Sequence, residues 1–279
     1  MTRWLDYEDV YEGGSARVAG TVKVLRDVRS ETLGNTRDIL VYLPPSYAEA
    51  NRTYPTLYMH DGQNLFDAAT SFAGEWRVDD ALEQLASEGI EAIVVGVPNT
   101  GVQRMAEYSP FRDPRFGGGR AADYLDFIIE TVRPLVDEAF RTTGDREATA
   151  TIGSSMGGLF SLYAFFARPD VFGAVGAVSP SVGFARGAMM DYLAAAKFVG
   201  GRIYLDVGTH EGRPKDRDPL QLRDDPGGYV RMVRASRDLL VAKGYRESRD
   251  LLYVEDEGGI HNEAAWAERF PPLIRFLLK

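Results

Sequence analysis

The sequence predicts an α/β fold: a mostly parallel eight-stranded sheet with an antiparallel N-terminal edge and helices on both faces. Three observations carry this. Short β-branched runs alternate with helix-length segments along most of the chain. The first two strand candidates are joined by the short polar link "RSETLGN", as an antiparallel hairpin requires. A glycine-rich turn, "GSSMGG", separates a strand from a strongly apolar helix within "TIGSSMGGLF" at 151–160.

The strand candidates are 20–28, 36–44, 54–60, 91–98, 147–153, 172–179, 201–208 and 248–255. The later ones are spaced by helix-length segments, which parallel crossovers need. In 120–141, Leu125, Ile128, Ile129, Val132, Leu135, Val136, Ala139 and Phe140 form one apolar stripe, with Pro134 expected to kink or break it. Residues 75–88 carry Trp76, Val78, Ala81, Leu82 and Leu85 at helical spacing. Residues 155–167 are apolar nearly all round, which predicts a buried helix. In 262–278, Pro271 and Pro272 predict two short helices or one kinked helix. The segments 99–119 and 209–228 are long, polar and rich in Gly and Pro, and both follow strands. They are expected to be loops at the carboxyl end of the sheet, where ligands bind in open α/β folds.

The 279 residues are 44% hydrophobic, enough for one large core, so a single domain is expected over 1–279 with an N-terminal extension at 1–19. The net charge of −9 disfavours nucleic acid and anionic membranes as partners. With no cysteine, disulfides, thiolate metal sites and cysteine nucleophiles are excluded. The N-terminus lacks the apolar core of a secretory signal, and no apolar run approaches a bilayer span of roughly 18 residues. A cytoplasmic location is the expectation.

The pattern Gly153-x-Ser155-x-Gly157 falls at the strand-to-helix junction. A nucleophilic serine needs a strained turn there, with neighbours too close for side chains, and a helix N-terminus that favours negative charge. Serine also needs a base. Of the three histidines, His261 follows the last strand and a Gly-Gly turn, over the carboxyl end of the sheet. His60 ends an earlier strand and suits an oxyanion loop or a structural role. His210 lies where an acid is expected. Glu211, three residues past the strand 201–208, is the candidate acid, with Asp206 as the alternative. Oxyanion donors are expected from the N–H of Met156 and from the "DGQNLFD" loop, where Gly62 allows close approach and Gln63, or else Asn64, supplies the donor. His60 and Asp61 lack the clustered partners of a metal site, so no metal is expected.

The blocks "RDILVYLPPSY", "YPTLYMHDGQNLFD", "EWRVDDAL", "IVVGVPNTGVQRMAEYSPF", "GSSMGGL", "LDVGTHEG" and "GGIHNEAAW" occur in this order over residues 20 to 278. The series resembles the "putative esterase" family of α/β-hydrolases, which includes siderophore trilactone esterases, feruloyl esterases and, more distantly, esterase D. The resemblance implies a triad of Ser155, Glu211 and His261, an oxyanion loop at Asp61-Gly62-Gln63, and no metal or organic cofactor. It implies that Asn99, Arg104 and Tyr108 line the cleft. Phe66, Trp76, Phe111 and Phe116 stand in or near the same loops, and Trp76 is included as a candidate substrate contact. The expected partner is a small-molecule ester. The expected reaction is hydrolysis of small acyl or feruloyl-type esters, including sugar-linked ones. The alternatives are acyl transfer by the same triad, siderophore trilactone hydrolysis, and a non-catalytic binding protein on this scaffold.

Overall fold

The computed structural model describes residues 3–11, 18–212 and 227–279. In chain order the strands are β1 (Leu5–Asp6), β2 (Thr21–Ser30), β3 (Asn35–Leu43), β4 (Thr56–His60), β5 (Ile93–Val97), the short pair β6 (Arg112–Asp113) and β7 (Gly117–Gly118), β8 (Thr149–Ser154), β9 (Ala174–Val178), β10 (Arg202–Gly208) and β11 (Leu251–Asp256). The helices are α1 (Tyr7–Val10), α2 (Val78–Ala86), α3 (Arg104–Tyr108), α4 (Ala121–Asp126), α5 (Arg133–Ala139), α6 (Met156–Ala167), α7 (Phe184–Ala195), α8 (Gly228–Lys243) and α9 (Glu263–Leu277).

Nine strands form the main sheet, in the order β1-β2-β3-β5-β4-β8-β9-β10-β11. All eight predicted strands are present. The ninth is β1, from the N-terminal extension, where Leu5 and Asp6 pair antiparallel with Val24 and Lys23. Two residues are too short for a period-2 signal, so the sequence pattern did not reveal it. β3 pairs antiparallel with both β2 and β5, and β5, β4, β8, β9, β10 and β11 pair in parallel.

The strands β4, β5, β8 and β9 are buried along their whole length, as expected where helices cover both faces. Alternate residues feed two cores. Ile93, Val95, Val97, Ile203, Leu205 and Val207 pack beneath α4 to α8, whereas Val94, Tyr204, Leu57 and Met59 pack beneath α2 and α9. The connection from β4 leads to one side of the sheet and that from β8 to the other. The β4/β8 boundary is therefore the switch point, where an open sheet forms its ligand crevice.

Pro134, Pro271 and Pro272 lie inside helical segments and split none of them. Pro134 does not break its helix. A wider π turn over 127–132 precedes it, and it enters α5 near the start, where its missing N–H matters least. Pro271 and Pro272 lie within one helix, α9. The carbonyls they leave unpaired belong to half-buried Ala267 and exposed Glu268, where water can satisfy them. The helices α7 and α8 carry weaker apolar stripes and were not anticipated. The segment 99–119 folds into a short helix and the β6–β7 hairpin rather than a plain loop. Most of the predicted loop 209–228 lies outside the described residues.

Asn262 caps α9, its side chain accepting from the Ala265 N–H at 2.9 Å. Leu273 of α9 is fully buried, against Gly176 of β9. Leu273→Ala is expected to lower unfolding free energy by about 2–5 kcal/mol in urea denaturation, because the tight strand contact leaves little room for collapse.

Candidate active site

Ser155 is the residue between β8 and α6. Its backbone has φ 54° and ψ −120°, outside every region that ordinary L-residues favour. Neighbouring backbone enforces this conformation. The Ser155 N–H donates to the Val178 carbonyl at 3.0 Å, and the Ser155 carbonyl accepts from the Ser181 N–H at 2.9 Å and the Leu159 N–H at 3.1 Å. The glycines around it are sterically required. A Cβ on Gly153 would lie 2.7 Å from the Gly157 carbonyl carbon, and one on Gly158 would lie 3.0 Å from the Val178 oxygen. The result is a serine hydroxyl held at the N-terminus of a buried helix, 8% exposed.

The loops after β10 and β11 are zipped together. Thr209 N–H donates to the Asp256 carbonyl and His210 N–H to the Gly259 carbonyl, at 2.9 and 3.0 Å. Gly208 makes this possible, since a Cβ there would fall 2.3 Å from the Gly259 oxygen. These contacts bring Glu211 and His261 together, with 2.9 Å between Oε2 and Nδ1. The other Glu211 oxygen, Oε1, accepts from Ser179 Oγ at 2.5 Å and from the Gly208 N–H at 2.9 Å. Ser179 Oγ itself accepts from Trp266 Nε1 and from Arg269, each at 3.1 Å. Burial pushes the Glu211 carboxyl up. The bond and charge of His261, with Ser179 and Gly208, outweigh it and hold the group below the usual carboxylate range.

Asp206, the other candidate acid, is wholly buried and does different work. Its oxygens accept from the Ser179 N–H at 2.8 Å and Tyr204 Oη at 3.0 Å, and Arg269 stands 3.2 Å away. Burial, only partly offset by Arg269, raises it to about 6. It staples the turn after β9 through the Ser179 N–H.

The loop after β4 begins at Asp61, in the left-handed region with φ 56°. Gly62 lies against β5, where a Cβ would come within 2.6 Å of the Gly96 carbonyl carbon. The Asp61 carboxylate takes a bidentate pair from Arg104, at 2.7 and 2.8 Å, and a third bond from Asn99 Nδ2 at 2.7 Å. The Asp61 N–H donates to Tyr108 Oη at 3.0 Å. Gln63 Oε1 accepts from the Asn99 N–H at 3.1 Å. The Asn64 N–H is spent on the Asp61 carbonyl at 2.8 Å, which leaves Gln63 the better placed of the two donors considered. Met156 opens α6, and a first-turn N–H has no partner within its own helix.

The chain matches the family described as "Putative esterase" over residues 30–277. It belongs to that family. The esterase is 26% identical over 254 residues to the uncharacterized protein YbbA of Bacillus subtilis, covering 89% of this chain and 95% of that one. It is 38% identical over 135 residues to the siderophore triacetylfusarinine C esterase of Aspergillus fumigatus, a match spanning 46% of this chain and 44% of the fungal one. Its fold is that of the BES protein from Bacillus cereus, with TM-score 0.70, 20% identity and coverage of 96% and 99% of the two chains. It is likewise that of an IroE-like serine hydrolase from Shewanella oneidensis, with TM-score 0.71, 21% identity and coverage of 92% and 80%.

Several residues of the esterase sit elsewhere than the sequence suggested. Tyr108 and Trp76 were expected to contact substrate, but they are core residues, 0% and 3% exposed. Tyr108 packs with Tyr124 and Phe160, and Trp76 with Trp266 and Phe270. Asn99 and Arg104 are partly buried and brace Asp61. Ser179, Ser181, Tyr229 and Arg269 were not anticipated. The only sequence signal was "VSPSVGF", polar residues just past a strand at the same end of the sheet. No described helix is long and apolar enough to cross a membrane.

His60 is structural. Its ring is buried, with Nδ1 3.2 Å from Tyr124 Oη and Nε2 2.9 Å from Thr151 Oγ1. Burial lowers it to about 3, so the folded esterase holds it neutral. The unfolded chain binds this proton below about pH 6.5, so the stability tied to His60 is lost as pH falls from 6.5 towards 3. Urea denaturation at pH 7, 6 and 5 should show that decline, at no more than about 1.4 kcal/mol per pH unit from this group. In His60→Gln the slope should shrink, whatever the variant's overall stability.

Proposed function

We propose that this esterase is a serine carboxylic-ester hydrolase working through an acyl-enzyme, with Ser155 as nucleophile, His261 as base and Glu211 as the acid behind it. The observation that carries the reading is the strained backbone of Ser155 at a helix N-terminus, over the same sheet end as a His261–Glu211 pair at 2.9 Å. In the proposed reaction His261 takes the Ser155 proton as Oγ attacks the ester carbonyl. Glu211, ionised and bound to Nδ1, fixes the ring's tautomer and stabilises the imidazolium. The N–H groups of Met156 and Gln63 receive the oxyanion, each worth roughly 3 kcal/mol in comparable sites. His261 then protonates the leaving alcohol, and water repeats the sequence on the acyl-enzyme.

Small acyl or feruloyl-type esters are the proposed substrates. A relative named as an endo-1,4-beta-xylanase/feruloyl esterase, from Xylanibacter ruminicola, is 26% identical over 54% of this chain and supports the second type. The fungal siderophore esterase favours a second reading, hydrolysis of siderophore esters. A panel of p-nitrophenyl acetate, methyl ferulate, acetylated sugars and a siderophore trilactone separates the two by kcat/KM.

Ser155→Ala is expected to abolish p-nitrophenyl acetate turnover and fluorophosphonate labelling. Wild-type activity in that variant would remove Ser155 from the mechanism. Glu211→Gln should lower kcat by about 100-fold or more and slow fluorophosphonate labelling, through loss of the imidazolium's partner.

A further inference from the structure

The geometry points to Ser181 as a second hydroxyl of the reaction centre: its Oγ donates a hydrogen bond to Ser155 Oγ and supports that oxygen as it gives up its proton. The inference rests on the serine-hydrolase reading above and deepens it.

Ser181 Oγ lies 3.1 Å from Ser155 Oγ. The two residues are also joined through backbone, since the Ser181 N–H donates to the Ser155 carbonyl at 2.9 Å. The Ser181 side chain is therefore held by the same contact that strains the nucleophile. It is 3% exposed, and a hydrogen bond removed from water is stronger electrostatically.

Proton counting gives the direction. Tyr229 Oη donates its one proton to the Ser179 carbonyl at 2.5 Å, so towards Ser181 it can only accept. Its distance from Ser181 Oγ is 3.4 Å. Two arrangements remain. Ser155 donates to Ser181 and Ser181 to Tyr229, which turns the nucleophile's proton away from the base. Alternatively Ser181 donates to Ser155, using the shorter of the two contacts and leaving the Ser155 proton for His261. The second arrangement is the reactive one. As His261 removes that proton, negative charge grows on Ser155 Oγ, and the Ser181 bond becomes charge-assisted and shortens. When the C–O bond forms, the charge passes to the carbonyl oxygen. Ser181 keeps its own proton throughout, so no other group is consumed.

The test is steady-state hydrolysis of p-nitrophenyl acetate by Ser181→Ala, Ser181→Cys and Ser181→Thr, with thermal melting of each. The expected result for Ala and Cys is a loss of about tenfold in kcat/KM at unchanged thermal midpoint, and slower fluorophosphonate labelling. Thr, which restores the hydroxyl, should recover most of the activity. A purely structural serine would lower the melting temperature without this rescue pattern. Wild-type kcat/KM in Ala and Cys, or a Thr variant as slow as Ala, would overturn the inference. If Ser181→Ala fails to fold, the Cys and Thr variants decide alone. Ser155→Ala measured alongside keeps the two claims apart. An active Ser155→Ala defeats the hydrolase reading, whereas an inactive one with an unaffected Ser181→Ala defeats only the role of Ser181.

Discussion

The close approach of the β8–α6 turn to the strand beside it is the constraint on which the site depends. Ser155 could not keep φ at 54° alone, since such a residue costs of order 1–3 kcal/mol. Two backbone hydrogen bonds to the β9 end, from Ser155 N–H to Val178 and from Ser181 N–H to Ser155, hold it there. Those bonds bring main chains nearly into contact: a Cβ on Gly158 would press on the Val178 carbonyl, and one on Gly153 would clash with Gly157 inside the turn. The burial of β8 and α6 on all sides then makes the turn rigid. Strain at one residue is thus balanced by packing along two elements.

A second constraint comes from the far end of the chain. α9 supplies Trp266 and Arg269, both of which bond to Ser179 Oγ and so leave its proton for Glu211. The helix also starts immediately after His261, with Asn262 as its cap. One helix therefore fixes both partners of the His261–Glu211 contact. The loop pairing at Gly208 and Gly259 sets their separation. On the opposite flank the Asp61–Arg104 pair does comparable work for the loop after β4. Removing either partner of such a half-buried pair strands a charge, which costs far more than the pair's net worth.

The parts of this arrangement that were legible in the sequence are those encoded locally. Eight strands and the helices with strong apolar stripes followed from periodicity, and the turn at Ser155 followed from glycine spacing. The order of elements then pointed to His261 and to Glu211, with Asp206 left as the alternative acid. What stayed hidden depends on contacts between distant segments. Leu5 and Asp6 form a strand only because β2 offers an edge. Trp76 and Tyr108 read as cleft aromatics because they sit in loops, yet the loops fold back and bury them. Asn99 and Arg104 were placed at the cleft by the family resemblance, and their bonds to Asp61 became visible only in three dimensions. Ser181 shows in the sequence only as a polar residue just past a strand, and its position relative to Ser155 exists only once β9 lies beside β8.

The choice between Asp206 and Glu211 shows what three-dimensional context adds to position along the chain. Both carboxylates are fully buried, both are within 3.5 Å of Arg269, and both bond to Ser179. Arg269 alone cannot neutralise two negative charges in a dry site. The difference lies in the remaining partner. His261 faces Glu211 and lowers its pKa, whereas Asp206 has no imidazole against it and is raised by burial to about 6. Each added positive charge on His261 would favour ionised Glu211 further, as an imidazolium does when it forms. Asp206 has no such partner and instead bonds the backbone of Ser179. Ser179 thereby links the two carboxylates, its N–H donating to Asp206 and its hydroxyl to Glu211.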